Sequence, residues 1–240
     1  MPRVGLAGWS EAVSRYRSRF PQSTGTGLER YASALTVVEV NVSFYRQVRH
    51  STYEGWSAQT PDDFVFSVKM ARAVTHFAKL SDNAPLNAFW KSVAGLGDKL
   101  QAVLVQLPPS LAFDRARADA FFARMRTAYS KIIAVEARHS SWFDDGIKPM
   151  FAEHDLTAVR TAVPDGPSDP GTAYYRLHGE PRRYRSPYSA EQLAVLAADL
   201  RARTADSLVI FDNTASSAGV DNALALRELL EREAETAKTD

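Results

Sequence analysis

The sequence predicts a single-domain α/β protein over residues 1–240, folded as a (β/α)8 barrel of the TIM-barrel type. Eight short runs of β-branched and apolar residues alternate with segments of helical periodicity, which is typical of parallel strands joined by helices. Eight strands close the common barrel, and 240 residues is close to the roughly 250 of that fold. The alternative is an open doubly wound sheet, but its G-x-G-x-x-G fingerprint is missing because Gly5 and Gly8 are three residues apart.

The predicted strands and helices follow one another along the chain. The strands are predicted at Val4–Trp9, Thr36–Val42, Phe64–Met70, Ala102–Leu107, Ile132–Ala137, Leu156–Ala162, Ala173–Leu177 and Leu208–Phe211. Helices are predicted where apolar residues recur at three- and four-residue spacing, most clearly at Pro85–Leu96, Arg115–Tyr129, Ala190–Ala202 and Asp221–Ala234. Proline and glycine predict loops at Pro21–Gly27 and at residues 164–171.

Two of the helix starts carry capping signals. Asp114 stands directly before the Arg115 segment, where its carboxylate can accept a hydrogen bond from the first turn. Ser189 is followed three residues later by Gln192, which is the spacing of a capping box. Both signals predict a helix that begins at the next residue.

Composition narrows the class of protein. Lys and Arg total 29 against 28 Asp and Glu, a formal charge of +1, whereas a general nucleic-acid binder usually has a basic excess. The absence of cysteine excludes disulfides, thiolate metal sites and a cysteine nucleophile. The start of the chain does not resemble a signal peptide, and no apolar run approaches the roughly 18 residues of a membrane span. We therefore expect a cytoplasmic protein without a membrane partner; the oligomeric state is left open.

Polar side chains recur at every second position in the predicted strands. Side chains alternate faces along a strand, and the face toward the helices should be apolar, so the polar series is predicted to point into the barrel. Most of the series lies late in its strands, where barrel enzymes place their sites. The series consists of Glu39, Asn41, Ser67, Lys69, Gln106, Glu136, Arg138, Arg160, Arg176, His178 and Asp212.

The charges of this series predict a pocket for an anionic or phosphate-bearing small molecule, because arginine binds such groups through paired hydrogen bonds. The alternative is a self-neutralising network of ion pairs inside the barrel. The residues predicted to act as general acid or base in a hydrolase-like reaction are Glu39, Glu136 and His178. The residues predicted to bind substrate are Trp9, Asn41, Tyr45, Lys69, Arg138, Arg176, Asp212 and Asn213.

Other chemistries remain open at the same residues. Glu39 and Glu136 could serve as the two carboxylates of a glycosidase. Together with His178 and Asp212 they could also bind a divalent metal, although the sequence has no short ligand motif. The cofactor is therefore left open.

Two further segments favour anion binding. The basic segment Arg182–Arg185, with aromatic residues around it, could bind nucleic acid without catalysis. The segment Ser216–Gly219 could present backbone N–H groups to a phosphate, whereas a simple helix cap explains the same residues.

Seven ordered motifs together resemble the YecE-like family, also called domain of unknown function 72, over essentially the whole chain. They are Gly5-Leu-Ala-Gly8-Trp9-Ser10, Val38-Glu39-Val-Asn41-Val-Ser43-Phe44-Tyr45, Phe66-Ser-Val-Lys69, Gln106-Leu-Pro108-Pro109-Ser110, Glu136-Ala-Arg138-His139-Ser-Ser-Trp142, Tyr175-Arg176-Leu-His178-Gly179 and Phe211-Asp212-Asn213-Thr214.

The resemblance implies a TIM-barrel fold and supplies no established reaction. Barrels of the xylose isomerase and endonuclease IV type are similar in fold, which suggests a sugar enzyme or a nuclease by analogy alone. Two positions depart from the family pattern: Leu6-Ala7 stands where Thr-Ser is frequent, and Ser140 where Pro is frequent. Both departures lie near the predicted site and predict a shifted ligand preference.

Overall fold

A computed structural model describes residues 2–21, 25–165, 171–203 and 205–236, with side chains described as far as Arg232. Residues 22–24 and 166–170, within the two predicted loops, lie outside the described part of the chain. The eight parallel strands follow the order β1-β2-β3-β4-β5-β6-β7-β8 and close into a barrel. The predicted (β/α)8 TIM barrel is confirmed.

All eight predicted strands are present, several of them shorter than predicted. They are β1 (Arg3–Leu6), β2 (Val37–Val40), β3 (Val65–Lys69), β4 (Leu100–Gln106), β5 (Ile132–Glu136), β6 (Leu156–Arg160), β7 (Tyr174–Leu177) and β8 (Leu208–Phe211). The first strand ends before its predicted limit at Trp9, and Gly8 beyond it has a φ of 106°. That backbone conformation turns the chain out of the strand and favours glycine.

The α-helices of the described residues are α1 (Ser10–Arg15), α2 (Gly27–Ala32), α3 (Val42–Tyr45), α4 (His50–Ala58), α5 (Asn83–Val93), α6 (Arg115–Ala128), α7 (Lys148–Glu153), α8 (Ala190–Arg201) and α9 (Ala218–Thr236). Both predicted capping signals are confirmed: Asp114 accepts from Arg117 N, and Ser189 and Gln192 form a capping box. None of the helices in the described part of the chain is both long and apolar enough to cross a membrane.

The connection from β6 to β7 differs from the others, because no helix is found in its described residues, 161–165 and 171–173. Ala158 of β6 pairs in register with Val135, which belongs to the helix-facing side of β5. Its side chain is exposed, whereas the apolar helix-facing residues of the other strands are buried. The described residues of this connection place no helix over Ala158, which agrees with its exposure.

Contacts divide the described residues into two compact units. The first unit holds residues 1–39, 60–64 and 159–240, and the second holds residues 40–59 and 65–158, each as far as it is described. The single domain over the whole chain stays a prediction. The predicted site residues are divided between the two units.

Candidate functional site

In the first unit, the end of β7 carries a buried ion pair with the end of β2. Both carboxylate oxygens of Glu39 accept from Nε of Arg176 at 3.1 Å, and Oε1 also accepts from Nη2 at 3.0 Å. The hydroxyl of Tyr174 donates to Oε2 at 2.8 Å. Glu39 is fully buried and Arg176 is 3% exposed. This carboxylate is therefore held by fixed partners, which suits a positioning role better than proton transfer to a substrate.

Arg176 links this pair to a second carboxylate at the end of β8. Its Nη2 lies 3.1 Å from Oδ2 of Asp212, and the same oxygen lies 3.0 Å from Nδ1 of His178. An ionised carboxylate can only accept hydrogen bonds, so the imidazole proton is placed on Nδ1. The other ring nitrogen, Nε2, is buried and has no partner among the described residues. The arrangement leaves one basic nitrogen available for proton transfer.

The loop after β7 packs against His178. The ring of Tyr184 meets the imidazole edge-on at 5.4 Å, and the guanidinium of Arg183 lies 5.1 Å from the centre of the Tyr184 ring. Arg182, Arg183 and Arg185 are all exposed, and none of them forms an ion pair with another described residue. The loop that contacts the histidine therefore carries three cations without an ion-pair partner in the described part of the chain.

Hydrogen bonds join this loop to the one after β8. The Asn213 side chain, which is fully buried, donates to Ser186 O at 2.9 Å, and Ala215 N donates to Tyr184 O at 3.1 Å. At the start of α9, Ala218 N donates to the hydroxyl of Ser216 and Gly219 N donates to Asn213 O. These N–H groups are already used within the loop, which favours the helix cap over the phosphate cradle.

The second unit holds the other predicted charges. Arg138, which is partly exposed, donates through Nη2 to Oε1 of Glu136 at 3.1 Å. The ammonium group of Lys69 lies 4.3 Å from the centre of the Phe44 ring, which also meets His76 edge-on. Burial and then the positive charges of Lys69, Arg138 and Arg72 hold the pKa of His76 below its ordinary value. Positive charge thus dominates around His76.

The predicted inward orientation of Arg160 is wrong. Arg160 pairs in register with Tyr175, and its guanidinium lies 5.8 Å from the centre of that ring. Tyr175 faces the helices, because its hydroxyl donates to Asp199 of α8 at 2.7 Å. The alternation along β6 places Val159 rather than Arg160 on the side of Tyr174 and Arg176. The expectation that the helix-facing side is apolar also fails at Tyr175.

The remaining predicted binding residues follow the first two strands along the chain. Trp9 is half-buried at the start of α1, and Asn41 is half-buried at the start of α3. The side-chain oxygen of Asn41 is buried and has no hydrogen-bond partner among the described residues. Tyr45 is 65% exposed and lies on the wall of a cavity in the second unit. Roles for these residues and for Glu136 stay predictions.

Sequence reasoning missed Tyr174 and Asp199. Tyr174 had a signal, because it is two residues before Arg176 and so shares its face of β7. Asp199 had none: it lies in the middle of a helix, and only the packing of α8 on β7 brings it to the Tyr175 hydroxyl.

The positions of Glu39 and Asp212 give little support to the hypothesis that they bind a divalent metal. Glu39 and Asp212 both pair with Arg176. Among the described residues, a group compact enough for a metal ion consists of Asp119, Glu153 and His154. Arg115 forms ion pairs with both of these carboxylates, so the positive charge of a metal is already supplied there by a guanidinium.

Comparison with known proteins places the chain in a family. A family model described as "Protein of unknown function DUF72" matches residues 3–240. The UPF0759 protein YunF of Bacillus subtilis is 26% identical, over 96% of this chain and 95% of that protein. A DUF72 family protein of Thermotoga maritima has a similar structure, with a TM-score of 0.75 and 26% identity over 96% of this chain and 99% of the other. Another, from Enterococcus faecalis, has a TM-score of 0.77 and 24% identity over 96% of each chain. The chain belongs to the DUF72 family, whose members are proteins of unknown function.

Proposed function

We propose that the protein is a hydrolase that cleaves a phosphate ester, with His178 as the general base. The observation that carries the proposal is the pair of His178 and Asp212, in which Nδ1 is bound and Nε2 is without a partner among the described residues. A carboxylate that holds Nδ1–H keeps the imidazole in the tautomer whose Nε2 accepts a proton. The same pairing of groups recurs in hydrolases of unrelated folds.

In the proposed reaction, Nε2 of His178 takes a proton from water while the water oxygen attacks phosphorus. The bond from phosphorus to the leaving oxygen breaks, and the protonated imidazole returns its proton to that oxygen, which leaves as an alcohol. Arg176 holds Asp212, and Glu39 holds Arg176. Arg176 and Glu39 therefore act as positioning residues. The exposed guanidinium groups of Arg182–Arg185 supply positive charge for the phosphate. Nε2 is buried and the Tyr184 ring packs against the imidazole, so the proposal requires Tyr184 to move aside when substrate binds.

The test is hydrolysis of p-nitrophenyl phosphate and bis(p-nitrophenyl) phosphate, with p-nitrophenyl acetate as an uncharged comparison. We expect kcat/KM on a phosphoester to fall by about 10²–10⁴ in His178→Gln and in Asp212→Asn. The matched control is His50→Gln, because His50 is exposed and pairs with Glu54 at a helix surface. Thermal unfolding of each variant checks that the fold is kept. Full activity in His178→Gln, or a wild-type protein that hydrolyses only the acetate or none of the three, would refute the proposal.

Nucleic-acid binding without catalysis is the second candidate. It is favoured by the exposed Arg182, Arg183 and Arg185 beside the partly exposed ring of Tyr184. The formal charge of +1 weighs against it. Binding of a single-stranded oligonucleotide that weakens steeply with salt, together with no phosphoester hydrolysis, would favour it.

A further inference from the structure

A cavity in the second unit has the features of a small-molecule site. Its volume is about 320 Å³, within the range of roughly 300–1,000 Å³ typical of ligand pockets. Its walls come from α3 and the segment after it, the turn after β3, and α5. Tyr45 of α3, Tyr53 of α4, Phe77 of the turn after β3 and Phe89 of α5 provide aromatic surface.

Two of the aromatic side chains that line the cavity are exposed. Tyr45 is 65% exposed and Phe77 is 70% exposed, although burial of a large aromatic side chain stabilises a fold by a few kcal/mol. The guanidinium of Arg72 lies between them, 5.9 Å from the centre of the Tyr45 ring and 5.3 Å from that of Phe77. The two rings and the cation thus form one surface on which a flat ring can stack.

The charge of the lining is positive and uncompensated. Arg46 and Arg72 line the cavity, and no Asp or Glu does. Neither arginine forms an ion pair within the described part of the chain. Apolar walls with two cations complement a ligand that is largely apolar and carries one negative charge.

The backbone of the wall is irregular at the same place. Residues Ala73–Phe77 form a turn of π-helix, and Lys79 and Leu80 that follow have φ values of 48° and 69°. Such turns and left-handed residues other than glycine are uncommon and occur often at functional sites. The π-turn ends at Phe77, the residue that packs on Arg72.

We propose that this cavity binds a small planar aromatic carboxylate, with its ring against Tyr45 and Phe77 and its carboxylate on Arg72. A carboxylate on a small ring fits the modest volume and the mainly apolar walls better than a nucleotide, whose sugar hydroxyls would need several polar partners. The site is independent of the proposed hydrolysis at His178, since it lies in the second unit and its test measures binding.

The experiment uses calorimetry of the full chain with indole-3-acetate, its neutral analogue indole-3-acetamide, and adenosine monophosphate. We expect indole-3-acetate to bind with a submillimolar Kd and the amide at least about tenfold more weakly, because a charge-assisted hydrogen bond is lost. Adenosine monophosphate should bind more weakly than indole-3-acetate.

Two variants distinguish the contribution of the Arg72 charge to binding from that of the aromatic stacking surface. Arg72→Gln should weaken indole-3-acetate about tenfold and leave the amide unchanged, whereas Phe77→Ala should weaken both. The control is Phe143→Ala, since Phe143 is 72% exposed and does not line the cavity. These side chains are exposed, so folding should be kept, which circular dichroism checks. Absence of binding at millimolar indole-3-acetate, equal affinity for acid and amide, nucleotide binding that is tighter than that of indole-3-acetate and is weakened by Arg72→Gln, or no effect of Arg72→Gln on indole-3-acetate would overturn the proposal.

Discussion

At the scale of single residues, the buried ion pair of Glu39 and Arg176 has unequal partners. Arg176 also holds Asp212, whereas Glu39 relies on Arg176 and the Tyr174 hydroxyl. Removing the arginine therefore leaves a fully buried carboxylate with one neutral donor, and such uncompensated charges are costly. Neutralising the glutamate leaves the arginine with its second partner.

We predict that Arg176→Met lowers the free energy of unfolding by about 3–5 kcal/mol, whereas Glu39→Gln lowers it by about 1–2 kcal/mol. The double variant should be more stable than Arg176→Met alone, because no charge is left unpaired. Urea unfolding followed by circular dichroism measures all three. Arg15→Met is the matched control, since its pair with Glu11 is exposed and should change stability by less than about 1 kcal/mol. Equal losses in Arg176→Met and Arg15→Met would contradict this assignment.

The lowered pKa of His76 predicts how the stability of the folded protein depends on pH. Burial, Lys69, Arg138 and Arg72 disfavour the protonated ring in the folded protein, whereas the unfolded chain protonates it near the ordinary value of about 6.5. The unfolded state therefore binds more protons as the pH falls below that value. The stability that the neutral ring contributes is present above the unfolded pKa and is lost as the pH falls toward the folded pKa.

Lys69→Met should raise the pKa of His76 toward its ordinary value, because it removes the neighbouring charge that lowers this pKa most. NMR titration of the histidine ring resonances measures the shift directly. Lys148→Met removes a lysine that pairs with Asp145 and should leave the His76 titration unchanged. A wild-type His76 that titrates at the ordinary value would show that the positive surroundings are screened.

At the scale of elements, β7 is held to α8 by a polar brace made of Tyr175, Asp199 and Arg203. Asp199 accepts from the Tyr175 hydroxyl at 2.7 Å and from Nε of Arg203 at 2.9 Å, and Arg203 also donates to Gly171 O. Both charged side chains are almost fully buried. The brace fixes the outer face of the strand whose inner face carries Tyr174 and Arg176.

Substitutions of the brace residues should lower the free energy of unfolding by different amounts, in a definite order. Asp199→Leu leaves the Arg203 guanidinium buried without its carboxylate and should cost about 3–5 kcal/mol. Tyr175→Phe keeps the ion pair and should cost about 1 kcal/mol. Asp199→Leu combined with Arg203→Met should recover much of the loss, because an apolar pair replaces the ionic one. Thermal unfolding ranks the three, and a larger loss in Tyr175→Phe than in Asp199→Leu would contradict the brace.

The helices and strands could be predicted from the sequence, whereas the direction in which their side chains point could be predicted only in part. Periodicity and capping signals are local, so α8 was predicted to within a residue of its end. Parity within one strand predicted that Glu39 and Arg176 are buried, but it does not fix the register between strands. That register decided the orientation of Arg160, and the packing of α8 decided the partners of Tyr175. The pairing of charged side chains depends on several strands at once, so it cannot be predicted from any single segment of the sequence.

At the scale of the whole molecule, a closed barrel requires each strand to pair with its neighbour. The pairing of β1 with β2 depends on Gly5 and Tyr31. The Tyr31 hydroxyl accepts from Leu6 N at 2.7 Å and donates to Val37 O at 2.8 Å, so a side chain joins the two strands at this point. Its burial raises the pKa of Tyr31 far above the ordinary range, and the hydroxyl stays protonated as a donor. A methyl group at Gly5 would lie 1.8 Å from Val37 O and 2.9 Å from the Tyr31 hydroxyl.

We therefore predict that Gly5→Ala is among the most damaging small substitutions in the chain. The added carbon must push β2 and the Tyr31 hydroxyl away from β1, which should cost at least about 3 kcal/mol, because overpacking is combined with lost hydrogen bonds. Tyr31→Phe keeps the ring but removes both hydrogen bonds and should cost about 2 kcal/mol. Gly27→Ala is the matched control: a carbon there meets nothing within 4 Å at the start of α2, so alanine should be neutral or slightly stabilising. Urea unfolding of the three variants decides the matter, and a Gly5→Ala protein as stable as Gly27→Ala would mean that this contact does not control the closure of the barrel.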